Sequence, residues 1–172
     1  MEKRGSHLAK ALWPLLLLAA MTGCAQFSGG AKPPIAVNEP APALLLPDLG
    51  GEQVDLTEYA GQAVLLNYWN LTCKPCLEEF PTFQELHEEY GEQGLAIVAV
   101  HLGGPTREVK DFVEDNGYTF TVLIDTEVTY TPPLPTTYII DPEGIARHRW
   151  VGGPLGREDI LSEVEPYLNE TN

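Results

Sequence analysis

The chain has 172 residues, of which 44% are hydrophobic, and it carries 10 Lys and Arg against 25 Asp and Glu, for a formal net charge of −15 at pH 7. This length suits one domain with one core, and the acidity argues against nucleic acid or anionic lipid as an electrostatic partner. Three cysteines and four histidines limit the redox and metal sites that the chain can build.

The N-terminus has the pattern of an export signal. Lys3, Arg4 and Lys10 give it a positive start, and residues 11–21 form an apolar stretch that is too short to cross a bilayer. The stretch ends in Met-Thr-Gly-Cys, which places Cys24 directly after small residues. An ordinary signal peptide or an uncleaved hydrophobic anchor would share this pattern. Each of these alternatives predicts a domain outside the cytoplasm.

The Met-Thr-Gly-Cys sequence resembles the end of a bacterial lipoprotein signal. The resemblance implies cleavage before the cysteine, so that residues 1–23 are the signal peptide and Cys24 is the first mature residue and carries lipid. Residues 24–42 are rich in Gly, Pro and small side chains without an apolar period, and they predict a flexible membrane tether. Residues 43–172 then form the folded domain.

The rest of the chain alternates between strand and helix patterns. Residues 44–46 and 53–56 flank a Gly-Gly pair and predict a β-hairpin. Residues 63–69 are apolar apart from Asn67, which is typical of a strand buried on both faces. Further strands are predicted over 95–100, 121–124, 137–140 and 146–151, and helices from about Cys76 to Tyr90, over 106–116 and over 157–168. This order predicts an α/β fold with a covered sheet, closed by an antiparallel hairpin and a helix.

A Cys-x-x-Cys pair follows the apolar run. Cys73 and Cys76 lie at a strand-to-helix turn, where the start of the helix favours a thiolate. Such a pair can form and reopen a disulfide, so the pattern predicts thiol–disulfide exchange. A zinc site would need two more closely spaced ligands, and the remaining cysteine and histidines are singly placed. An inert structural disulfide would close too short a loop to constrain the unfolded chain. We therefore expect no metal and no cofactor.

The element order, with the pair at the carboxyl end of a central strand, resembles thioredoxin. The sequences LLNYWNLTCKPCLEEFP, IVAVHLGG and LPTTYIIDPEG resemble the membrane-anchored thiol–disulfide reductases of the TlpA, ResA and DsbE type, over nearly the whole domain. The resemblance implies a thioredoxin-like fold, with a central mixed sheet flanked by helices and an N-terminal β-hairpin extension. It also implies an enzyme that reduces protein disulfides.

The same resemblance assigns roles around the pair. Cys73 corresponds to the exposed nucleophile and Cys76 to the resolving thiol. Pro135 corresponds to a cis proline that faces the disulfide, and the backbone of Leu134 is expected to pair with an extended substrate. Glu79 corresponds to a glutamate of this subfamily and follows Cys76 by about one helical turn.

Other residues near the pair complete the predicted site. Trp69 and Pro75 are expected among the substrate-binding residues, and Pro75 also suits the first turn of a helix because it lacks an amide hydrogen. Asn67 stands where thioredoxin has a buried aspartate, which is a departure from the pattern. Residues 125–134 are shorter than the usual connection and predict an extended loop. His101, at a strand end, is the histidine placed nearest the pair, and we expect a structural role for it.

The predicted protein is a lipid-anchored, extracytoplasmic reductase. Its partners would be disulfide-containing proteins, with apocytochrome c as one candidate, and a membrane electron donor that restores the dithiol. Two other classes stay open. A Cu(I)-binding metallochaperone of thioredoxin fold could use both thiolates, although such proteins have a wider cysteine spacing and a placed histidine. A peroxiredoxin-like peroxidase would need a Pro-x-x-x-Thr/Ser-x-x-Cys arrangement, and neither cysteine of the pair has the upstream proline.

Overall fold

A computed structural model describes residues 35–104 and 106–168, which form seven strands and three α-helices. The strands are β1 Leu45–Pro47, β2 Gln53–Asp55, β3 Ala63–Trp69, β4 Leu95–Leu102, β5 Thr121–Asp125, β6 Thr136–Ile140 and β7 Ala146–Val151. The α-helices are α1 Lys74–Tyr90, α2 Thr106–Asp115 and α3 Arg157–Val164, and the short 3-10 helices are Leu56–Tyr59, Gly91–Gln93 and Glu165–Tyr167.

Five strands form one mixed sheet in the order β5-β4-β3-β6-β7. β3 and β4 are parallel, as are β4 and β5, whereas β6 runs antiparallel to both β3 and β7. β1 and β2 pair separately as the predicted hairpin. This arrangement confirms the thioredoxin-like α/β fold with an N-terminal β-hairpin, and it places β3 in the centre of the sheet.

The two faces of the sheet bury different cores, because successive residues of β3 point to opposite sides. Trp69 of β3 belongs to a core that includes Phe80 of α1, Val113 of α2 and Ile160 of α3, so all three helices cover this face. Tyr68 belongs to the core of the opposite face, which the hairpin region and loop residues cover. This second core includes Ile35, Leu44, Leu56, Val64, Leu66, Tyr130 and Tyr138.

Most element boundaries agree with the sequence patterns. β3 and β7 have the predicted bounds, and residues 126–135 contain neither helix nor strand, as expected. α1 begins at Lys74, earlier than predicted, because Cys73 takes the N-cap position and Pro75 fits the first turn. α3 ends at Val164 and continues as a 3-10 turn, since the next turn contains a proline.

Residues 35–42 correct the predicted limits of the tether. Ile35 is buried in the second core, and backbone hydrogen bonds join Asn38, Glu39 and Ala41 to residues 144–146. This segment is therefore part of the folded domain, which begins by Ile35 and not at residue 43. The rest of the predicted tether lies outside the described residues.

The predicted signal peptide, residues 1–23, and the predicted lipidation site, Cys24, also lie outside the described residues. Within residues 35–104 and 106–168, no helix has the length and hydrophobicity that crossing a membrane requires.

Candidate active site

Cys73 and Cys76 form a disulfide at the carboxyl end of β3, with their Cα atoms 5.3 Å apart. Cys73 is the N-cap residue of α1 and is partly exposed, whereas Cys76 in the first turn of the helix is fully buried. Of the two cysteines, only Cys73 therefore has surface that an attacking group from solvent can reach. The two cysteines are chemically unequal because of where the helix starts.

The start of α1 provides the electrostatics of this site. Backbone N–H groups of the first turn lack helical partners, and the helix dipole adds positive potential there, so a thiolate on Cys73 is stabilised. Lys74 contributes little to this potential. Its side chain is 88% exposed, and its Nζ lies 3.6 Å from the carboxylate of Glu78.

A tight turn joins β3 to Cys73. Oδ1 of Asn70 accepts hydrogen bonds from the backbone N–H of Thr72 at 3.0 Å and from its hydroxyl at 2.9 Å. The N–H of Cys73 donates to the carbonyl of Asn70 at 3.1 Å. Sequence reasoning missed the role of Asn70, although an Asn-x-Thr sequence just before a helix is a signal for such a side-chain turn.

Glu79 lies on α1 and has no exposed surface. Its Oε1 accepts a hydrogen bond from the backbone N–H of Leu155 at 2.9 Å, and its Oε2 accepts one from Nδ2 of Asn67 at 3.4 Å. Burial raises the pKa of Glu79 to about 7, because the two hydrogen bonds only partly offset the loss of hydration. A carboxyl group with this pKa can both give and accept a proton at neutral pH.

Asn67 connects Glu79 to the sheet. It lies in the middle of β3 without exposed surface, and its Nδ2 also donates to the hydroxyl of Thr137 on β6 at 2.9 Å. Its Oδ1 is buried and has no hydrogen-bond partner among the residues that the structure describes. A polar chain therefore runs from β6 through β3 to α1. A single asparagine in an otherwise apolar run was the available signal, but the sequence alone did not indicate its partners.

The peptide bond between Leu134 and Pro135 is cis, which confirms the predicted isomer. Pro135 is buried, and its carbonyl accepts a hydrogen bond from the N–H of Gly152 at 2.8 Å. Leu134 is half-buried, and its backbone N–H and carbonyl make no hydrogen bond within the described part of the chain. The backbone of Leu134 is thus free to pair with another chain.

The loop between β7 and α3 closes over Glu79 and Pro135. A Cβ atom added to Gly153 would collide with Oε1 of Glu79 and would lie 3.0 Å from Cγ of Pro135. The loop approaches this closely because position 153 has no side chain. Sequence reasoning missed this loop, since nothing in the local pattern of residues 152–155 indicates a contact with residue 79.

Pro75 and Trp69, the two other residues predicted to contact the substrate, lie in different places relative to the pair. Pro75 is half-buried in the first turn of α1, beside the disulfide. Trp69 has no exposed surface, and its ring packs against Phe80 at 4.4 Å and against His101 at 4.9 Å between centroids. The structure places Trp69 beneath the site, so its side chain can support the surface but does not form it.

Metal ligands do not gather around the pair. Among the residues that the structure describes, no three His, Cys, Asp or Glu side chains are grouped so that they could hold a metal ion.

Comparisons with known proteins agree on one kind of enzyme. The model of the AhpC/TSA family matches residues 37–149. The thiol-disulfide oxidoreductase ResA of Geobacillus thermodenitrificans is 38% identical over 172 residues, which cover 96% of this chain and 98% of the relative. A Chlorobium tepidum structure described as a thiol:disulfide interchange protein, DsbE, gives a TM-score of 0.70 at 26% identity and covers 77% of this chain and 97% of its own. A secreted thiol-disulfide isomerase from Corynebacterium glutamicum gives a TM-score of 0.65 at 25% identity, with 73% and 83% covered.

A thioredoxin-like sheet with a cysteine pair at the start of α1 defines a thiol-disulfide oxidoreductase. The chain belongs to the AhpC/TSA family and, within it, to the ResA-type thiol-disulfide oxidoreductases. The resemblance drawn from the motifs around Cys73, Pro135 and the second parallel strand is confirmed.

Proposed function

We propose that this enzyme is a reductant of protein disulfides that works outside the cytoplasm. The observation that carries the proposal is the unequal pair, in which Cys73 is accessible at the start of α1 and Cys76 is buried. Such a pair suits two successive thiol exchanges on a protein substrate, the first at Cys73 and the second between the two cysteines.

In the proposed cycle, the thiolate of Cys73 attacks one sulfur of a substrate disulfide. A mixed disulfide forms, and the other substrate sulfur leaves as a thiolate that takes up a proton. Cys76 then loses its proton and attacks the sulfur of Cys73, which releases the second substrate thiol. Two electrons have passed to the substrate, and the enzyme is left with the disulfide seen in the structure. A dithiol donor in the membrane restores the reduced pair.

Substrate binding would use the free backbone at Leu134. An extended segment of the substrate can add its own N–H and carbonyl groups there, next to Pro135, and such pairing requires little of the substrate's sequence. Pro75 would lie at the edge of this contact, and Trp69 would support it from below. The class of substrate is therefore proteins with accessible disulfides.

Glu79 would handle the proton of the second step. Its carboxyl group has a pKa of about 7 and sits one helical turn from Cys76, so it can take up or return a proton as the buried thiol reacts. We expect Glu79→Gln to change the pH dependence of the rate at which the reduced enzyme reduces a model disulfide, between about pH 5 and 10. Glu78→Gln is the matched control, because Glu78 is exposed on the same helix. A Glu79→Gln profile that overlays the parent would remove Glu79 from the site.

The direction of electron flow is tested by the redox potential. A reductant of this kind should have a midpoint nearer to about −270 mV, as in thioredoxin, than to about −120 mV, as in DsbA. A measured value above about −180 mV would instead indicate an oxidase or an isomerase.

The proposed location rests on the sequence of the N-terminus, and the secreted relative from Corynebacterium glutamicum supports it. Residues 1–23 would be removed and Cys24 would carry the lipid that holds the enzyme at the membrane. Mass spectrometry of the mature N-terminus tests this, and Cys24→Ser should release the protein or leave it unprocessed. An unmodified Cys24 inside an uncleaved chain would contradict the proposal.

Trapping identifies the physiological partner. In Cys76→Ser the second exchange is blocked, so the substrate stays bound to Cys73 by a mixed disulfide and can be identified. Recovery of an apocytochrome c would assign the enzyme to cytochrome c maturation. Peroxide consumption by the parent would favour the peroxidase alternative, and tight Cu(I) binding by the reduced pair would favour the metallochaperone.

A further inference from the structure

His101 lies beneath the turn that leads into Cys73. It is 2% exposed on β4 and is the parallel partner of Trp69 on β3. Its Nε2 accepts a hydrogen bond from the backbone N–H of Leu71 at 3.4 Å. Within the described part of the chain, no other side-chain hydrogen bond joins residues 70–72 to a neighbouring strand.

Only one form of the ring allows this contact. Nε2 can accept a hydrogen bond only when it carries no proton, so the imidazole must be neutral with its proton on Nδ1. Burial lowers the pKa of His101, and a weak hydrogen bond to the Gly103 backbone opposes this only in part, so the ring is neutral at neutral pH. Nδ1 itself is buried and makes no hydrogen bond of good geometry within the described part of the chain.

The poorly satisfied Nδ1 shows that the histidine is not placed here for the sake of that atom. A buried polar atom without a well-formed hydrogen bond is unfavourable, and an apolar side chain of similar size would avoid that penalty. The contact that an apolar side chain could not make is the one between Nε2 and Leu71. The hydrogen bond that His101 accepts from the turn is therefore what distinguishes it from an apolar residue at this position.

Close neighbours fix the orientation of the ring. The indole of Trp69 meets it edge to face, with centroids 4.9 Å apart and an angle of 81° between the planes. On another side, a Cβ atom added to Gly104 would lie 3.2 Å from Cε1 of the ring. A ring held in this way offers Nε2 at a defined point below Leu71.

The turn of residues 70–72 connects the contact at His101 to Cys73. Asn70 closes the turn with its side chain, and the N–H of Cys73 donates to the Asn70 carbonyl. Leu71 lies between these two anchored residues, so a shift at Leu71 moves the N-cap residue of α1. Among the described residues, no other side chain of β4 makes a hydrogen bond to the turn.

We propose that His101 is a positioning residue for Cys73, which it serves by accepting the hydrogen bond of Leu71 and so holding the turn of residues 70–72 at the start of α1. This inference rests on the proposed role of Cys73 as the attacking thiol. His101 does not touch the substrate or the sulfur, and it acts through the backbone of the turn.

Two substitutions separate positioning from packing. His101→Leu keeps a side chain of similar size and removes the acceptor, whereas His101→Gln keeps an acceptor near the place of Nε2. We expect the alkylation rate of Cys73 in the reduced, full-length protein to fall about 2- to 10-fold in His101→Leu, the effect of losing one neutral hydrogen bond, and to return to within about twofold of the parent in His101→Gln. The redox potential should change in His101→Leu in parallel.

His87→Leu is the matched control. His87 has a buried Nδ1 without a hydrogen-bond partner in the described part of the chain, but it lies near the end of α1, away from the pair, with its ring 6.5 Å from that of Phe120. Its replacement should leave the alkylation rate of Cys73 unchanged. Equal rates for the parent, His101→Leu and His101→Gln would overturn the inference, as would a His101→Gln variant as slow as His101→Leu.

A measurement on the parent protein keeps the inference testable if a variant does not fold. Nitrogen NMR of the imidazole at neutral pH should show His101 with its proton on Nδ1, and a proton on Nε2 would overturn the inference. The reducing activity of Cys73→Ser tests the underlying function separately. Activity retained in that variant would refute the proposed role of Cys73, whereas normal alkylation in His101→Leu would refute the role of His101 alone.

Discussion

Replacing Glu79 with glutamine should remove a pH dependence of stability that the parent protein carries. The buried carboxyl has a pKa of about 7 in the folded protein against an ordinary value of 4.5, which the unfolded chain retains. Between these values the folded state holds a proton that the unfolded state has released. The free energy of unfolding therefore decreases as the pH rises from about 4.5 to about 7.

The size of this effect follows from the pKa difference. A change from 4.5 to about 7 corresponds to roughly 3 kcal/mol between the two ends of the range. A glutamine at this position carries no charge, and its oxygen can still accept from the N–H of Leu155. Its amide nitrogen can donate to Asn67 once the Asn67 amide turns its unpaired Oδ1 toward it. Glu79→Gln should thus be more stable than the parent above about pH 7 and similar to it near pH 4.5.

The assay is urea denaturation of the oxidised proteins at several values between about pH 4.5 and 8. With the disulfide intact the thiols do not titrate, so the difference between parent and variant reports Glu79. The lowered pKa of His101 acts in the opposite direction over part of this range, but it is common to both proteins and cancels in the difference. Glu78→Gln, at an exposed position, should follow the parent. Parallel curves for the parent and Glu79→Gln would refute the raised pKa.

Two further substitutions test the surroundings of the site. Gly153→Ala should destabilise the protein by about 1–3 kcal/mol in urea denaturation, because the added methyl group collides with Glu79. The same substitution should weaken the pH dependence of stability that Glu79 causes. An unchanged stability would contradict the close contact between Gly153 and Glu79. Asp141→Asn should cost about 1.5–3 kcal/mol near pH 7. Burial opposes ionisation of Asp141, but the hydrogen bonds that it accepts from Ile145 and Arg147 outweigh burial and lower its pKa. The stability difference between the parent and Asp141→Asn should therefore shrink as the pH falls below 3.8. A difference that persists in acid would contradict this.

The sequence predicted the centre of the fold well for a physical reason. β3 is buried on both faces, so all of its residues except Asn67 are apolar, and this run coincides with the strand. The cysteine pair was equally clear, because the end of that strand and the first turn of α1 both have local signals. Local patterns were sufficient wherever the structure is determined by neighbours in sequence.

Residues 35–42 show where such patterns are not sufficient. Their prolines and small side chains indicated a tether, yet Asn38, Glu39 and Ala41 hydrogen-bond to residues 144–146 at the other end of the domain. The partner strand determines the conformation of this segment, and no local period can report that. The contact between Leu155 and Glu79, 76 residues apart in the chain, was missed for the same reason.

The burial of Glu79 also bears on how the pair can react. An ionised carboxylate below the pair would oppose a thiolate on either cysteine, and a thiolate would in turn raise the pKa of the carboxyl. Because burial already raises that pKa to about 7, the carboxyl group is largely protonated under mildly acidic conditions and opposes the thiolate less. We therefore expect the carboxyl and the thiols of the reduced enzyme to titrate as one coupled group, with pKa values that belong to the group. In the oxidised enzyme only the carboxyl titrates, so the difference between the two titrations measures the coupling on which the proposed proton transfer from Cys76 depends.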